Sequence, residues 1–201
     1  LFRSLKDVGV VYDEVETVCK SSRRQRILTG RDRISVLMKT DSLGYEIDGK
    51  NEPKKMDLYI NSEKRCNKWG AMIENFCSTH KITDKLIFRL YKGVPLTKRA
   101  DLWSAFLGID EVMASDIGKS TRLDYGQSSD DDQIHKDVTR AHQNNIKFMC
   151  RFSEGQKLLF LILKAYSHVD TETGYVQGMA DLFGFNVLVF SNLERSFWSM
   201  Y

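Results

Sequence analysis

The chain has 201 residues, of which 42% are hydrophobic and 28% charged, with a formal net charge of +3. That length suits one domain of ordinary size, and so small a charge excess argues against a nucleic-acid-binding protein. No stretch reaches the roughly 18 consecutive apolar residues of a membrane-spanning helix, and the start, Leu1-Phe2-Arg3-Ser4-Leu5-Lys6-Asp7, lacks the apolar core of a signal peptide, so a cytoplasmic location is expected.

In chain order, residues 1–60 read as a lead-in of unknown role, mixed or poorly ordered. Val8-Gly9-Val10-Val11-Tyr12 and Ile34-Ser35-Val36-Leu37-Met38 are β-branched runs, separated by a basic, turn-rich stretch from Lys20 to Arg33. From residue 61 to 201 the reading is all-α, an irregular multi-helix domain. Trp69, Met72, Ile73 and Phe76 recur at i, i+3, i+4 and i+7, the stripe of an amphipathic helix. Pro95 opens the next helix at a position that tolerates a missing N–H. Leu102, Trp103, Phe106 and Leu107 give it an apolar face, and Gly108 ends it. Residues 156–166 include Leu158-Leu159-Phe160-Leu161-Ile162-Leu163, too apolar all round for a surface helix and expected at the centre of a core.

Between these helices lies the motif Ile134-x-x-Asp137-x-x-Arg140. Ser129 is the expected N-cap, Asp130, Asp131 and Asp132 suit the positive end of the helix dipole, and Ile134, Val138 and Ala141 define a buried face. At 100° per residue Arg140 falls roughly 130° from the middle of that face, next to Asp137 three residues earlier. The arginine should therefore point outward with a carboxylate beside it. By spacing alone this is the pattern of an ordinary surface ion pair. A second motif, Tyr175-Val176-Gln177-Gly178, is bracketed by Gly174 and Gly178 and followed by apolar Met179, Leu182, Phe183 and Phe185, so Gln177 sits where a loop enters a helix. A glutamine there can equally bond to local backbone. Together, an arginine and a glutamine are the side-chain types that complete a slow GTPase site, one meeting phosphate charge and one aligning water.

The ordered series Lys68-Trp69, Lys92-Gly93-Val94-Pro95, Arg99-Ala100-Asp101-Leu102-Trp103, Ile134-x-x-Asp137-x-x-Arg140, Gly155-Gln156, Ala165-Tyr166-Ser167, Gly174-Tyr175-Val176-Gln177-Gly178-Met179 and Phe197-Trp198 resembles the TBC domain of Rab GTPase-activating proteins. Asp41-x-x-Gly44-Tyr45 is similar to the lead-in that often precedes that domain. The resemblance implies an all-α fold in which Arg140 is the arginine finger and Gln177 the glutamine finger, acting in trans on a Rab-family small GTPase in its GTP state and so regulating vesicle trafficking. The chain would need no cofactor of its own, GTP and Mg²⁺ belonging to the partner. Asp137 would fix the arginine rotamer, with Ile134, Tyr175 and Gly178 as support. Where many members continue Thr-Phe-Pro after the arginine, this chain has Ala141-His142-Gln143. The family's domain normally runs on beyond Phe197-Trp198, so a domain truncated at its C-terminus is expected, as is a piece of a longer protein from the missing initiator Met. The alternative reading is a noncatalytic adaptor on the same scaffold, binding a small GTPase or another partner.

Other patterns point to plainer roles. Gly118-Lys119-Ser120 mimics the end of a phosphate-binding loop, but the glycine required at position 113 is Met113. Cys77 and His80 have metal-ligand spacing with no second pair nearby. His135, His142 and His168 are expected at the surface or at caps. The four cysteines, Cys19, Cys66, Cys77 and Cys150, form no CxxC pair and are expected to be reduced. The cluster Lys20, Arg23, Arg24, Arg26, Arg31 and Arg33 is read first as a solvated charge run, with peripheral contact to anionic membrane as the further expectation.

Overall fold

The computed structural model describes residues 40–41, 43–47, 62–121 and 123–201. Among these the fold is all-α, with nine helices and no strand. Extended backbone pairs only in two isolated bridges, Thr40 with Glu46 and Tyr45 with Asn145. The two β-branched runs at 8–12 and 34–38, and the basic stretch at 20–33, lie outside the described residues. The described residues form two compact units, one from residues 62–119 and the other from residues 40–47 together with 120–201.

The first unit begins with α1 (Glu63–Thr79), which buries Trp69, Ile73 and Phe76 along the expected stripe while Met72 packs at its edge. His80 ends it in the left-handed conformation, φ 51°, donating its N–H to the Phe76 carbonyl. In α2 (Asp84–Tyr91), Thr83 caps the start by accepting from the Leu86 N–H. Arg65, 4% exposed, reaches from α1 to donate to the carbonyls of Lys92 and Gly93, which the end of α2 leaves without helical partners. The pairing gives Lys92-Gly93-Val94-Pro95 a structural reason to stand where it does.

Pro95 is the N-cap of α3 (Leu96–Leu107), one residue earlier than expected, and Gly108 ends the helix with φ 63°. Of its expected apolar face, Leu102 is buried and Trp103 half-buried, but Phe106 and Leu107 are exposed. The stripe is narrower than its spacing suggests because α3 packs on α1 over one side, and Phe106 meets Phe76 only edge-on at 4.8 Å. Two short helices follow, α4 (Ile109–Ala114) and α5 (Asp116–Ser120). Gly118-Lys119-Ser120 is thus helical, and a Cβ on Gly118 would collide with the backbone carbonyls of Val112 and Met113.

The second unit is built round α7 (Glu154–Val169), against which α6 (Asp131–Val138), α8 (Met179–Phe190) and α9 (Leu193–Trp198) all pack. Leu159, Phe160, Leu161, Ile162 and Leu163 are fully buried, the all-round apolar helix expected at the centre of the core. Each such side chain contributes about 1.5–3 kcal/mol relative to exposure, which makes α7 the anchor for everything around it. Gly155 is needed at its start, because a Cβ there would meet the Lys147 carbonyl. The buried Gln156 closes the preceding turn by accepting from the Phe152 N–H and donating to the Phe148 carbonyl.

Lys164 of α7 is 2% exposed and donates to Asp131 of α6 at 2.6 Å, a buried ion pair that ties the first motif's helix to the core. The N-cap of α6 is Asp130, not Ser129 as expected. Asp131 is inside the helix and accepts from the Ser128 N–H, and the Asp130 N–H donates to the Ser128 hydroxyl, so the chain enters one residue later.

Candidate functional site

Ile134 and Val138 of α6 and Ala141 just beyond it are buried, as the helical projection requires. The helix ends at Val138, but Arg140 and Ala141 both donate their N–H groups to the Asp137 carbonyl and so prolong the turn. Arg140 consequently emerges on the exposed side, its side chain 65% exposed. Two bonds fix it: Nη2 donates to Asp137 Oδ1 at 2.8 Å and Nε to the Lys136 carbonyl at 3.1 Å. Its other N–H groups have no partner among the described residues.

Asp137 is the hub. Its side chain is only 10% exposed, and its second oxygen accepts from Gln133 Nε2 and from the Tyr175 hydroxyl, both at 2.9 Å. Burial first, and then the hydrogen bond to Asp137, push the Tyr175 phenol well above its ordinary value, so it stays a donor at any physiological pH. Tyr175 thereby joins the arginine segment to the loop that carries Gln177. Asp130, at the other end of α6, accepts from the Tyr175 N–H at 3.1 Å and makes a second join between the motifs.

That loop is set from both sides. The Asp170 carboxylate accepts from the Thr173 N–H and the Tyr166 hydroxyl, and the bonds from Thr173, more than that from Tyr166, hold it below the usual carboxylate range. The Asp170 carbonyl accepts from the Gly174 N–H. Gly174 and Gly178 then adopt φ of 59° and 100°, and Gly178 is the N-cap of α8. Gln177, fixed between them, is exposed, and its amide makes no hydrogen bond among the described residues. Exposed Val176 and Leu182 lie on either side of it in sequence.

One residue of the site escaped sequence reasoning. His142, expected at the surface, is half-buried with φ 49° and bridges two elements: Nδ1 lies 2.7 Å from the Tyr45 hydroxyl and Nε2 lies 2.9 Å from the Asp181 carbonyl. The carbonyl can only accept, so Nε2 carries the proton and Nδ1 accepts from Tyr45. His142 thus links the turn after Arg140 to the first turn of α8, immediately beyond Gln177. Tyr45 is itself presented by Asp41, which accepts from the N–H groups of Leu43 and Tyr45, and by the bridge to Asn145. His135 also departs from expectation. It is 9% exposed, accepts from Arg151 at 3.5 Å and stacks on Phe152; burial foremost, and Arg151 next, lower its pKa. His168 is half-buried, with Nε2 against the Gly126 carbonyl.

The all-α surface thus presents a held arginine and an exposed glutamine on two segments that Tyr175 joins. The chain belongs to the Rab-GTPase-TBC domain family, whose model matches residues 97–201. It is similar to the human growth hormone-regulated TBC protein 1, 32% identical over 138 residues covering 67% of this chain and 40% of the relative. It is also similar to the Xenopus laevis protein of the same name, 28% identical over 141 residues covering 68% and 41%. This chain therefore spans about 40% of the length of these relatives. A crystal structure of the Chlamydomonas flagellar RabGAP TBC domain shares the fold, with a TM-score of 0.56 and 22% identity over 80% of this chain and 55% of that one.

Proposed function

We propose that this chain carries the catalytic elements of a GTPase-activating protein for a Rab-family small GTPase in its GTP state, with Arg140 as arginine finger and Gln177 as glutamine finger. The observation that supports this best is the shared carboxylate: Asp137 binds Arg140 directly and, through Tyr175, the loop of Gln177. Both fingers are exposed at adjoining segments whose backbones are fixed before any partner arrives, the pre-organisation that transition-state stabilisation rewards. Phosphoryl transfer from GTP to water spreads negative charge over the γ-phosphate and leaving oxygens. The open guanidinium N–H groups of Arg140 would meet that charge more strongly in the transition state than in the ground state. The Gln177 amide can donate and accept at once, and would orient the attacking water in place of the GTPase's own glutamine. GTP and Mg²⁺ belong to the partner, and the domain proposed for this activity runs from residue 61 onward. By turning off a Rab the protein would act in vesicle transport, at the cytoplasmic face of endomembranes.

In a chain extended to the length of its relatives, Arg140→Ala should cut stimulated GTP hydrolysis by about 10³-fold or more while leaving GTPase binding measurable, because an arginine finger supplies roughly 10³ to 10⁵ in rate. Equal stimulation by the variant rejects the proposal. It would leave the adaptor reading, which the replacement of Thr-Phe-Pro by Ala141-His142-Gln143 favours.

A further inference from the structure

The unit made of residues 62–119 holds a cavity of about 660 Å³ between α1 and α2 that plays no part in the proposed catalysis. Lys68, Ala71, Met72, Asn75 and Phe76 line it from α1, at the i, i+3, i+4, i+7 and i+8 positions of one helix face. Lys81 and Thr83 line it from the linking segment, and Lys85, Leu86 and Arg89 from α2. Its floor is apolar, and four cations and no carboxylate stand round it. None of Lys68, Lys81, Lys85 and Arg89 forms an ion pair among the described residues. The nearest acids in sequence turn away: Glu74 and Asp84 each lie more than about 100° round their helix from the middle of the lining face.

Four cations that line one cavity, without an ion pair among the described residues, repel one another, and an anion that neutralises them removes that repulsion and gains charge-assisted hydrogen bonds. Asn75 and Thr83 add neutral polar groups for hydroxyls or phosphate oxygens. A volume of about 660 Å³ has room for a small ligand carrying several phosphates. Ile82, 63% exposed, lies in sequence between the lining residues Lys81 and Thr83, an apolar side chain of the kind that enters a bilayer beside a bound headgroup. We propose that this cavity binds the polyphosphorylated headgroup of an anionic membrane lipid, and so docks the protein on a bilayer independently of its GTPase-directed site.

The test is co-sedimentation of the chain with phosphatidylcholine vesicles containing ~5 mol % phosphatidylinositol bisphosphate, against vesicles of equal charge made with phosphatidylserine. The wild-type chain should bind the first vesicles more tightly. Lys85→Gln with Arg89→Gln should weaken that binding at least tenfold, since each basic residue near an anionic surface contributes about 1 kcal/mol, or roughly fivefold in affinity. A control with the same loss of charge, Lys119→Gln with Lys136→Gln, should bind like wild type, and Ile82→Ser should bind more weakly. Circular dichroism verifies that each variant is folded, and Lys68→Gln with Lys81→Gln replaces the first pair if it is not. Unchanged binding by the cavity variants overturns the proposal, as do equal binding to phosphatidylserine and preferential binding of polyglutamate. Binding of soluble inositol trisphosphate as tight as that of vesicles overturns the bilayer reading.

Discussion

Tyr175→Phe deletes one hydroxyl and leaves the ring, so it asks what joining the two motifs is worth. The Asp137 carboxylate has an exposed arm and a covered one. Its contact with Arg140, whose side chain is 65% exposed, is screened and contributes at most about 1 kcal/mol to stability. Its bond from the Tyr175 hydroxyl is 2.9 Å long on a side chain only 10% exposed, and a hydrogen bond to a charged group of this kind is worth about 1.5–3 kcal/mol. Phenylalanine leaves the carboxylate with Gln133 and Arg140, so the expected loss is near the lower end, about 1.5 kcal/mol in chemical denaturation. In an extended, active chain the same change should slow Rab GTP hydrolysis about tenfold, because tenfold corresponds to about 1.4 kcal/mol of barrier. The decisive assay is a double-mutant cycle on stimulated hydrolysis with Arg140→Ala. If Tyr175 acts by holding the arginine, its effect should vanish once Arg140 is gone. Effects that add within about 0.3–0.5 kcal/mol would refute the reasoning, since independent sites behave in that way.

Lys164→Ala should destabilise by about 3 kcal/mol in urea denaturation, because it strips the partner from Asp131 at a site where Lys164 itself is 2% exposed; a loss below about 1 kcal/mol would show the pair to be dispensable. Stability should also fall on acidification. With the His135 pKa lowered from 6.5 in the fold, the unfolded chain takes up a proton that the native one refuses, so stability is full above pH 6.5 and declines as pH drops below it. Asp132 opposes part of that shift, and His135→Gln should flatten the melting temperature between about pH 7 and 5.5, where the histidine titrates. Gly184→Ala should cost about 1–3 kcal/mol in the same denaturation assay, since the new methyl would run into the His142 ring.

The helices were legible where one rule dominates. Trp69, Ile73 and Phe76 follow a single periodicity, and Leu159 to Leu163 are apolar enough to admit only a central position. Arg140's outward direction also followed from helical projection, although the helix stops two residues short of it, because hydrogen bonding to the Asp137 carbonyl preserves the turn. Capping was less readable. Ser129 and Asp130 are both good caps by type, and Asp131's pairing with Lys164, 33 positions away, decides the register. His142 was misplaced for the same reason: its partners, Tyr45 and Asp181, stand 97 and 39 positions off, and nothing local to the histidine announces them. Arg65 had no local signal for burial; it is 4% exposed because the carbonyls of Lys92 and Gly93, 27 and 28 positions on, receive it.

Tyr45 has a practical meaning for anyone cutting the gene. An expression boundary drawn just ahead of the first helix among the described residues, near residue 62, would discard the phenol that holds His142 and the strand-like pairing of residue 45 with Asn145. The turn leaving Arg140 would then lose its brace on that side. A shortened protein with weak turnover would be reporting on the scissors, and its assay should be repeated with residues 40–47 restored before the finger is judged poor.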